Sequence, residues 1–586
     1  MTMEKHYLKR LFFAILLFTC CMLANAHDFE VDGIYYNYMS DGVYVTYAGN
    51  SYSEVENEYN GDIIIPATIL YNGYEKNVIA VAANAFRDCK NITSITIGDN
   101  VENIFNDAFR NCSNLNKISI GKNLWKIYDT ALYGCNALKT VHYNCIHTGN
   151  CQINLPSVEE ITLGENVKTV SLFNNTEWYK RQQNGLLYLD NWLIGYKGDE
   201  PIGDIIIAEG TTHIDGSSLS YCSSITSVSI PKTVIYIGEL FLRSCSNIAS
   251  LNVAMGNTVY DSRDNCNAII ETNTNKIIKA CANTVIPNSV TSIGFCSFEE
   301  LDIVSLDIPN NVVDIESSAF YGCNKLAQVN IGDNVINIGD NAFRACTMLK
   351  DLKLGDKLTT IGKCTFYDCS SLTNIIIPES ILRIKEDAFR NTGWYNNQTD
   401  YPYCLDGWIL YDVGWPYIKE GVRGIADRVY YYHDASGSSN LKIPNTVYAI
   451  GEWAFSYCGI YDVVLPNSIK YIATGAFSNN GFSYISLPLG VDSISSATFQ
   501  NCRYLSKVVI PKSVKKIESA AFTLCSKITE LYVLAANPPR VDNSGIPVFD
   551  PSIYDKSTLY VPKGSKEAYL QDTEWTKFTN IVEIET

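Results

Sequence analysis

The sequence predicts a solenoid of short parallel strands, and two observations predict it. First, the motif Ala-Phe-x-x-Cys, then Leu-x-x-Ile-x-Ile, then Val-x-x-Ile returns down most of the chain. Phe320, Phe343, Phe366 and Phe389 fall at intervals of 23 residues, and Phe455, Phe477, Phe499 and Phe522 at 22, 22 and 23. Phe86 and Phe109 begin an earlier run in which Leu132 takes the next place. Second, the Leu/Ile spacing within each period marks leucine-rich repeats, units that bury their apolar face only by stacking on a neighbour. The expected fold class is therefore a leucine-rich-repeat solenoid: a curved right-handed coil of short parallel strands joined by 3-10 or helical turns, with β-hairpin insertions and N- and C-terminal caps.

In chain order, residues 1–26 carry the marks of a signal peptide. Lys5, Lys9 and Arg10 give a basic start, Leu11 to Phe18 is apolar, and Ala24-Asn25-Ala26 offers small residues at a cleavage site before His27. The apolar run is too short to span a membrane. A lipoprotein cleaved before Cys20 is the rival reading, disfavoured by Thr19 just ahead of it. Residues 27–80 alternate apolar and polar side chains around Phe29 to Tyr36 and Val43 to Tyr47, as hairpin strands do, and are expected to cap the first turn.

Repeats are expected over 81–534. Triplets such as Leu326/Val329/Ile331 and Leu505/Val508/Ile510 end in strand alternation, and the Pro or Gly that follows turns the chain. Pairs such as Val335/Ile338 make a second wall, and Ala-Phe-x-x-Cys fits one helical or 3-10 turn with Phe and Cys facing inward. Two related insertions interrupt the period, near 174–210 and 391–440. Trp178-Tyr179 answers to Trp394-Tyr395, and Leu189-Asp190-Asn191-Trp192 to Leu405-Asp406-Gly407-Trp408, each a hairpin signal. An irregular repeat covers 254–290. Residues 535–586 leave the period through Asn537-Pro538-Pro539 and are expected to form the C-terminal cap.

Composition narrows the function. Sixty-two acidic against 45 basic residues give a net charge of −17, which argues against nucleic acid as a partner and against anionic lipid. Eleven cysteines, among them Cys89, Cys323, Cys346, Cys502 and Cys525, share one repeat position. Side chains stacked there point the same way, so buried free thiols are expected rather than a ladder of disulfides. No nucleophile elbow, zinc-protease helix or phosphate-cradling glycine loop occurs, and histidines are few. The chain is therefore not expected to be an enzyme or to need a cofactor.

One cluster carries ligand-type chemistry: His142, Cys145, His147 and Cys151 lie within ten residues. They are a weak candidate for a tetrahedral zinc site, because their spacing fits none of the usual patterns. A Cys145–Cys151 bridge, or no special role, are the alternatives. The favoured partner-binding candidates are aromatics in the insertions, Trp192, Trp408, Trp415, Tyr417 and Tyr431 in the run Tyr430-Tyr431-Tyr432. Tyr and Trp dominate protein hot spots and also stack on sugars. Outward strand positions, including His142, Asn330 and Lys353, form a second candidate surface.

The unit Ala-Phe-x-x-Cys-x-x-Leu-x-x-Ile-x-Ile-Pro-x-x-Val-x-x-Ile resembles the BspA-type leucine-rich repeat of bacterial surface proteins. Asn265 to Thr272 with Val285-Ile286-Pro287, and the ending Leu559-Tyr560-Val561-Pro562, resemble variant units of the same family. The resemblance implies an exported, cell-surface or secreted protein of a host-associated bacterium, active in adhesion and protein binding. Its partner would be a host or bacterial surface or matrix protein, with a glycan or nutrient ligand as the alternative. An enzyme or an enzyme inhibitor is the remote one. No membrane-spanning segment is expected after signal removal, and the oligomeric state is left open.

Overall fold

A computed structural model describes residues 27–49, 58–412, 414, 418–433 and 440–585. The expected signal peptide, with Cys20, lies outside them. The chain divides into two compact units, residues 1–224 with 231–243, and residues 225–230 with 244–586. Each is a parallel β-solenoid.

In the first unit the strands Phe29–Val31, Ile34–Met39 and Gly42–Thr46 form an antiparallel meander. Gly42–Thr46 then pairs in parallel with Tyr74–Val81, and the ladder continues through Asn103–Ile104 and Lys126–Ile127 as the second wall. The first wall runs from Asn60–Ile65 through Asn91–Ile97, Lys117–Ile120 and Thr140–Tyr143 to Glu160–Leu163, all parallel. In the second unit Ser305–Asp307, Gln328–Asn330 and Asp351–Lys353 make one first-wall sheet. A second-wall ladder runs from Ser292–Ile293 to Arg383–Ile384. The end of this unit stacks Tyr484–Ser486, Lys507–Ile510, Glu530–Val533, Thr558–Pro562 and Asn580–Ile584.

Where the sequence predicts a helical turn at Ala-Phe-x-x-Cys, the structure has none. The residues two before and two after the phenylalanine are left-handed: Asn341 and Ala345 flank Phe343 at φ 58° and 63°, Asp387 and Asn391 flank Phe389 at 58° each. Alternating hands cannot continue a helix. Instead the phenylalanine N–H reaches the next coil, Phe320 to Ala342 O at 2.7 Å, Phe343 to Thr365 O at 2.9 Å and Phe366 to Ala388 O at 2.8 Å. The corner is thus a third hydrogen-bonded ladder, and Asn and Asp recur there because they tolerate the left-handed region.

Inside this corner the phenylalanines form a column. Rings of Phe320 and Phe343 lie 4.8 Å apart and 7° from parallel, and Phe343–Phe366 and Phe366–Phe389 follow at 5.5 and 5.3 Å. All four are buried. The cysteine three residues on is buried too, and it does more than fill space. Its thiol donates to the phenylalanine carbonyl of the preceding coil: Cys346 to Phe320 O at 3.2 Å, Cys369 to Phe343 O at 3.1 Å, Cys525 to Phe499 O at 3.1 Å. Asn480 stands at this position once, and its amide donates to Phe455 O and Phe477 O at 2.8 and 2.9 Å. All eighteen cysteines of the described residues are unbridged.

Both insertions contain the expected hairpin. Gly185–Leu189 pairs with Trp192–Lys197, and Tyr403–Leu405 with Trp408–Tyr411. The latter turns through Asp406 and Gly407 at φ 44° and 80°, the two left-handed residues a tight hairpin requires. Each hairpin's second strand then takes a place in the second wall, Trp192 pairing with His213 and Trp408 with Gly424. The irregular stretch 254–290 holds a third hairpin of the same kind, Ala268–Glu271 with Lys276–Ala280, which the sequence did not disclose.

Candidate functional site

The tryptophans expected as exposed platforms are buried. Trp192 is 4% exposed and stacks on His213 at 4.4 Å; Trp408 is 0% exposed. A Cβ at Gly424 would sit 2.6 Å from the Trp408 ring, so glycine there lets the hairpin dock. These rings anchor their hairpins because their strands join the second wall, which turns them from solvent toward the solenoid. Tyr431 stays half-buried beside Arg428, 5.2 Å from its guanidinium, and close to Tyr432 and Tyr457. Trp415 and Tyr417 lie outside the described residues.

The strand-face candidates occupy outward positions. His142 stands between Ser119 and Thr162 on neighbouring strands, with its Nδ1 2.9 Å from Thr162 Oγ1. Asn330 stands between Asp307 and Lys353 and donates to Asp307 Oδ1 at 2.5 Å. Lys353 is exposed and lies 3.6 Å from Asp333. For the four-residue zinc candidate, His142 and His147 each engage a threonine, His147 Nδ1 meeting Thr169 Oγ1 at 2.9 Å, while Cys145 and Cys151 are buried. Among the described residues no group of three His, Cys, Asp or Glu side chains is arranged to hold a metal ion.

The second insertion creates a site whose lining residues the sequence did not pick out. Its hairpin and the short helix Gly393–Asn396 rise beside the corner ladder and enclose an open cavity of about 280 Å³. Glu386, Asp387, Asp412 and Asp427 bring carboxylates to it, Arg390 and Arg428 guanidinium groups, His433 an imidazole, and Tyr395, Tyr401 and Tyr411 phenols. Helix capping fixes Tyr395, whose N–H donates to the Thr392 hydroxyl at 3.1 Å. Its ring packs edge-on against Tyr403 and Tyr411 at 5.3 and 5.0 Å, and Tyr401 stacks on Tyr403 at 4.3 Å.

Charges in the cavity are tethered in pairs. Arg390 lies 3.4 Å from Asp387, whose charge raises its pKa. Arg428 lies 4.0 Å from Glu386, which also holds Lys363 at 2.8 Å. Asp427 forms the floor: burial raises its pKa, and Arg383 opposes that with a 2.7 Å ion pair while also reaching Glu452. The cavity therefore offers donors, acceptors and aromatic edges on a rigid base. A signal was present in the sequence: the residue after each phenylalanine points outward and reads Tyr321, Arg344, Tyr367, Arg390 down one run.

Residues 74–179, 199–269, 269–394 and 425–538 match the BspA type leucine-rich repeat region in six copies. The chain belongs to the BspA-type leucine-rich-repeat family. Members of this family are generally non-enzymatic, and their repeats serve as protein-interaction scaffolds. Solved structures similar to this BspA-type chain include a leucine rich cell surface protein from Faecalibacterium prausnitzii, 20% identical over 88% of this chain and 94% of that one, with a TM-score of 0.26. A leucine-rich repeat protein from Bacteroides ovatus is 18% identical over 87% and 95%, with a TM-score of 0.22. The pneumococcal vaccine antigen PcpA is 13% identical over 96% and 100%, with a TM-score of 0.23. No curated protein matches the sequence significantly. Among the described residues no helix is long and apolar enough to cross a membrane.

Proposed function

We propose that this BspA-type protein is an exported, non-enzymatic adhesin. It holds out a rigid surface that binds a host or bacterial surface protein, and the cavity of the second insertion is its principal contact. The observation that carries this reading is the cavity itself. Here a hairpin spreads paired acids, guanidinium groups and tyrosines around open space. Tyr and Arg are the residues that interface hot spots favour, and their fixed positions reduce the entropy cost of binding. Tyr401, 45% exposed, and Arg428 are the two side chains best placed to meet a partner. The outward positions Asn330 and Lys353, in the same unit, are further candidate contacts, and His142, in the other unit, is a separate one.

A glycan ligand is the second reading, favoured by the phenols and carboxylates of the same cavity. It no longer draws on Trp192 and Trp408, which are buried. A binding screen separates the two. The mature chain, immobilised, is exposed to purified matrix proteins, epithelial cells and a glycan array. Saturable binding to proteins or cells without array signal supports the adhesin; array signal alone supports the glycan reading. Silence in every arm rejects both.

A further inference from the structure

We propose that the second wall of the second unit carries a separate binding groove for a pyranose that bears a carboxylate, a uronic or sialic acid residue. The groove is open and holds about 540 Å³, within the range of small-ligand sites. It lies where the strands Gly424–Ile425, Ala449–Ile450 and Tyr471–Ile472 pair in parallel. The residue just before each strand lines it: Arg423, Tyr448 and Lys470. Glu379, Ser380 and Thr446 line it from the turns that precede the wall. Earlier in the same unit the position before the strand holds Val313, Ile336 and Thr359, so the polar trio arises where the second insertion resets the stack.

Two of these side chains are held in place. Arg423 donates from Nε and Nη2 to the Asp406 carbonyl at 3.1 and 2.7 Å, and its Nη2 also reaches Ile377 O and the Asp406 carboxylate, each at 3.1 Å. That leaves its Nη1 edge for a ligand. Tyr448 donates its hydroxyl to Glu379 O at 3.3 Å, and its ring stands edge-on to buried Trp408 at 6.2 Å. Thr446 accepts the Gly421 N–H at 3.2 Å and keeps its own O–H to donate. Lys470 is exposed and, among the described residues, forms no ion pair, in a chain with 62 acidic residues against 45 basic ones.

This set of groups matches an acidic sugar. The Lys470 ammonium and the Arg423 edge supply charge-assisted donors for a carboxylate. The Glu379 carboxylate and the Thr446 hydroxyl answer ring hydroxyls, and the Tyr448 ring offers its π-system to the C–H side of the pyranose. A peptide with a free C-terminal carboxylate is the competing occupant. It would need apolar walls for its last side chain, and Leu382 is the one aliphatic side chain in the lining. The groove shares no lining residue with the cavity around Tyr401, so its failure would leave the adhesin reading standing.

The mature chain is titrated with sialyllactose, a hyaluronan tetrasaccharide, neutral lactose and a glycine-rich peptide with a free C-terminal carboxylate, followed by saturation-transfer NMR and calorimetry. At least one acidic sugar should bind saturably, and which one does so separates the sialic from the uronic source. Lactose should bind at least about tenfold more weakly, and the acidic sugar should weaken as salt rises from about 0.05 to about 0.3 M. Lys470→Ala, at an exposed position, should lower the affinity at least about tenfold with melting unchanged, and Lys470→Arg should retain most of it. Tyr401→Ala/Arg428→Ala should bind the acidic sugar as the wild type does. If Lys470→Ala fails to fold, the wild-type comparison of acidic sugar with lactose decides. No saturable binding of either acidic sugar, equal binding of lactose, binding of the peptide alone, or full binding by folded Lys470→Ala overturns the proposal.

Discussion

At the scale of single residues, the corner position three after each phenylalanine explains most of the cysteine content. A small buried donor is needed there, since the carbonyl of the preceding coil's phenylalanine points inward, and thiol and amide both serve. Asn480→Ala strips partners from Phe455 O and Phe477 O and should lower stability by about 1–3 kcal/mol. Asn480→Cys should cost less than the alanine variant, because it restores the donor found in neighbouring coils; chemical denaturation of the three proteins checks the order. Phe343→Ala should cost roughly 3–5 kcal/mol, since a fully buried ring leaves a stacked column. An unchanged melting curve would contradict the column. The raised thiols also set a pH response. Cys323 and Cys525 hold their protons to about 12 when folded, whereas an exposed thiol releases its proton near 8.5. Above that value the unfolded chain binds fewer protons than the folded one, so stability falls as pH rises from about 8.5 to 12. Denaturation midpoints measured from pH 8 to 11 should decline, and Cys323→Ala should flatten part of the decline.

At the scale of elements, the strands and the two tryptophan hairpins were legible because alternation and an Asp-Asn or Asp-Gly turn are local signals. The corner was not. Phe and Cys three apart fit a helical turn as well as they fit a left-handed corner, and only Asn341 before Phe343, and Asp387 and Asn391 around Phe389, hint at the difference. The direction of Trp192 and Trp408 was equally hidden, because an insertion breaks the period that says which side faces in. Their burial now makes a structural prediction. Trp408→Ala should destabilise the second insertion by roughly 3–5 kcal/mol, and Gly424→Ala should also destabilise it, through a Cβ only 2.6 Å from the ring. Hydrogen exchange should show faster exchange over Tyr403–Tyr411 in both variants, with the strands Lys507–Ile510 and Glu530–Val533 unaffected. Uniform loss of protection would mean that the hairpin is integral to its unit rather than docked on it.

At the scale of the whole molecule, the repeats stack into a regular support, and the proposed recognition site belongs to a departure from them. The candidate cavity was only half legible. The sequence pointed to 391–440 as the segment to watch, and Tyr395, Tyr401 and Arg428 lie in it, but Glu386, Asp387 and Arg390 come from the corner before it and meet them only when coils stack. The central claim is that recognition takes place there. Its most direct test compares the mature chain with Tyr401→Ala/Arg428→Ala for binding to the protein or cell surface that the wild type retains in the screen, with circular dichroism and melting as controls for folding. The account predicts a loss of binding of at least about tenfold, corresponding to about 1.4 kcal/mol, with melting unchanged within a few degrees. Full binding by a folded double variant would contradict it and move the partner site off this cavity.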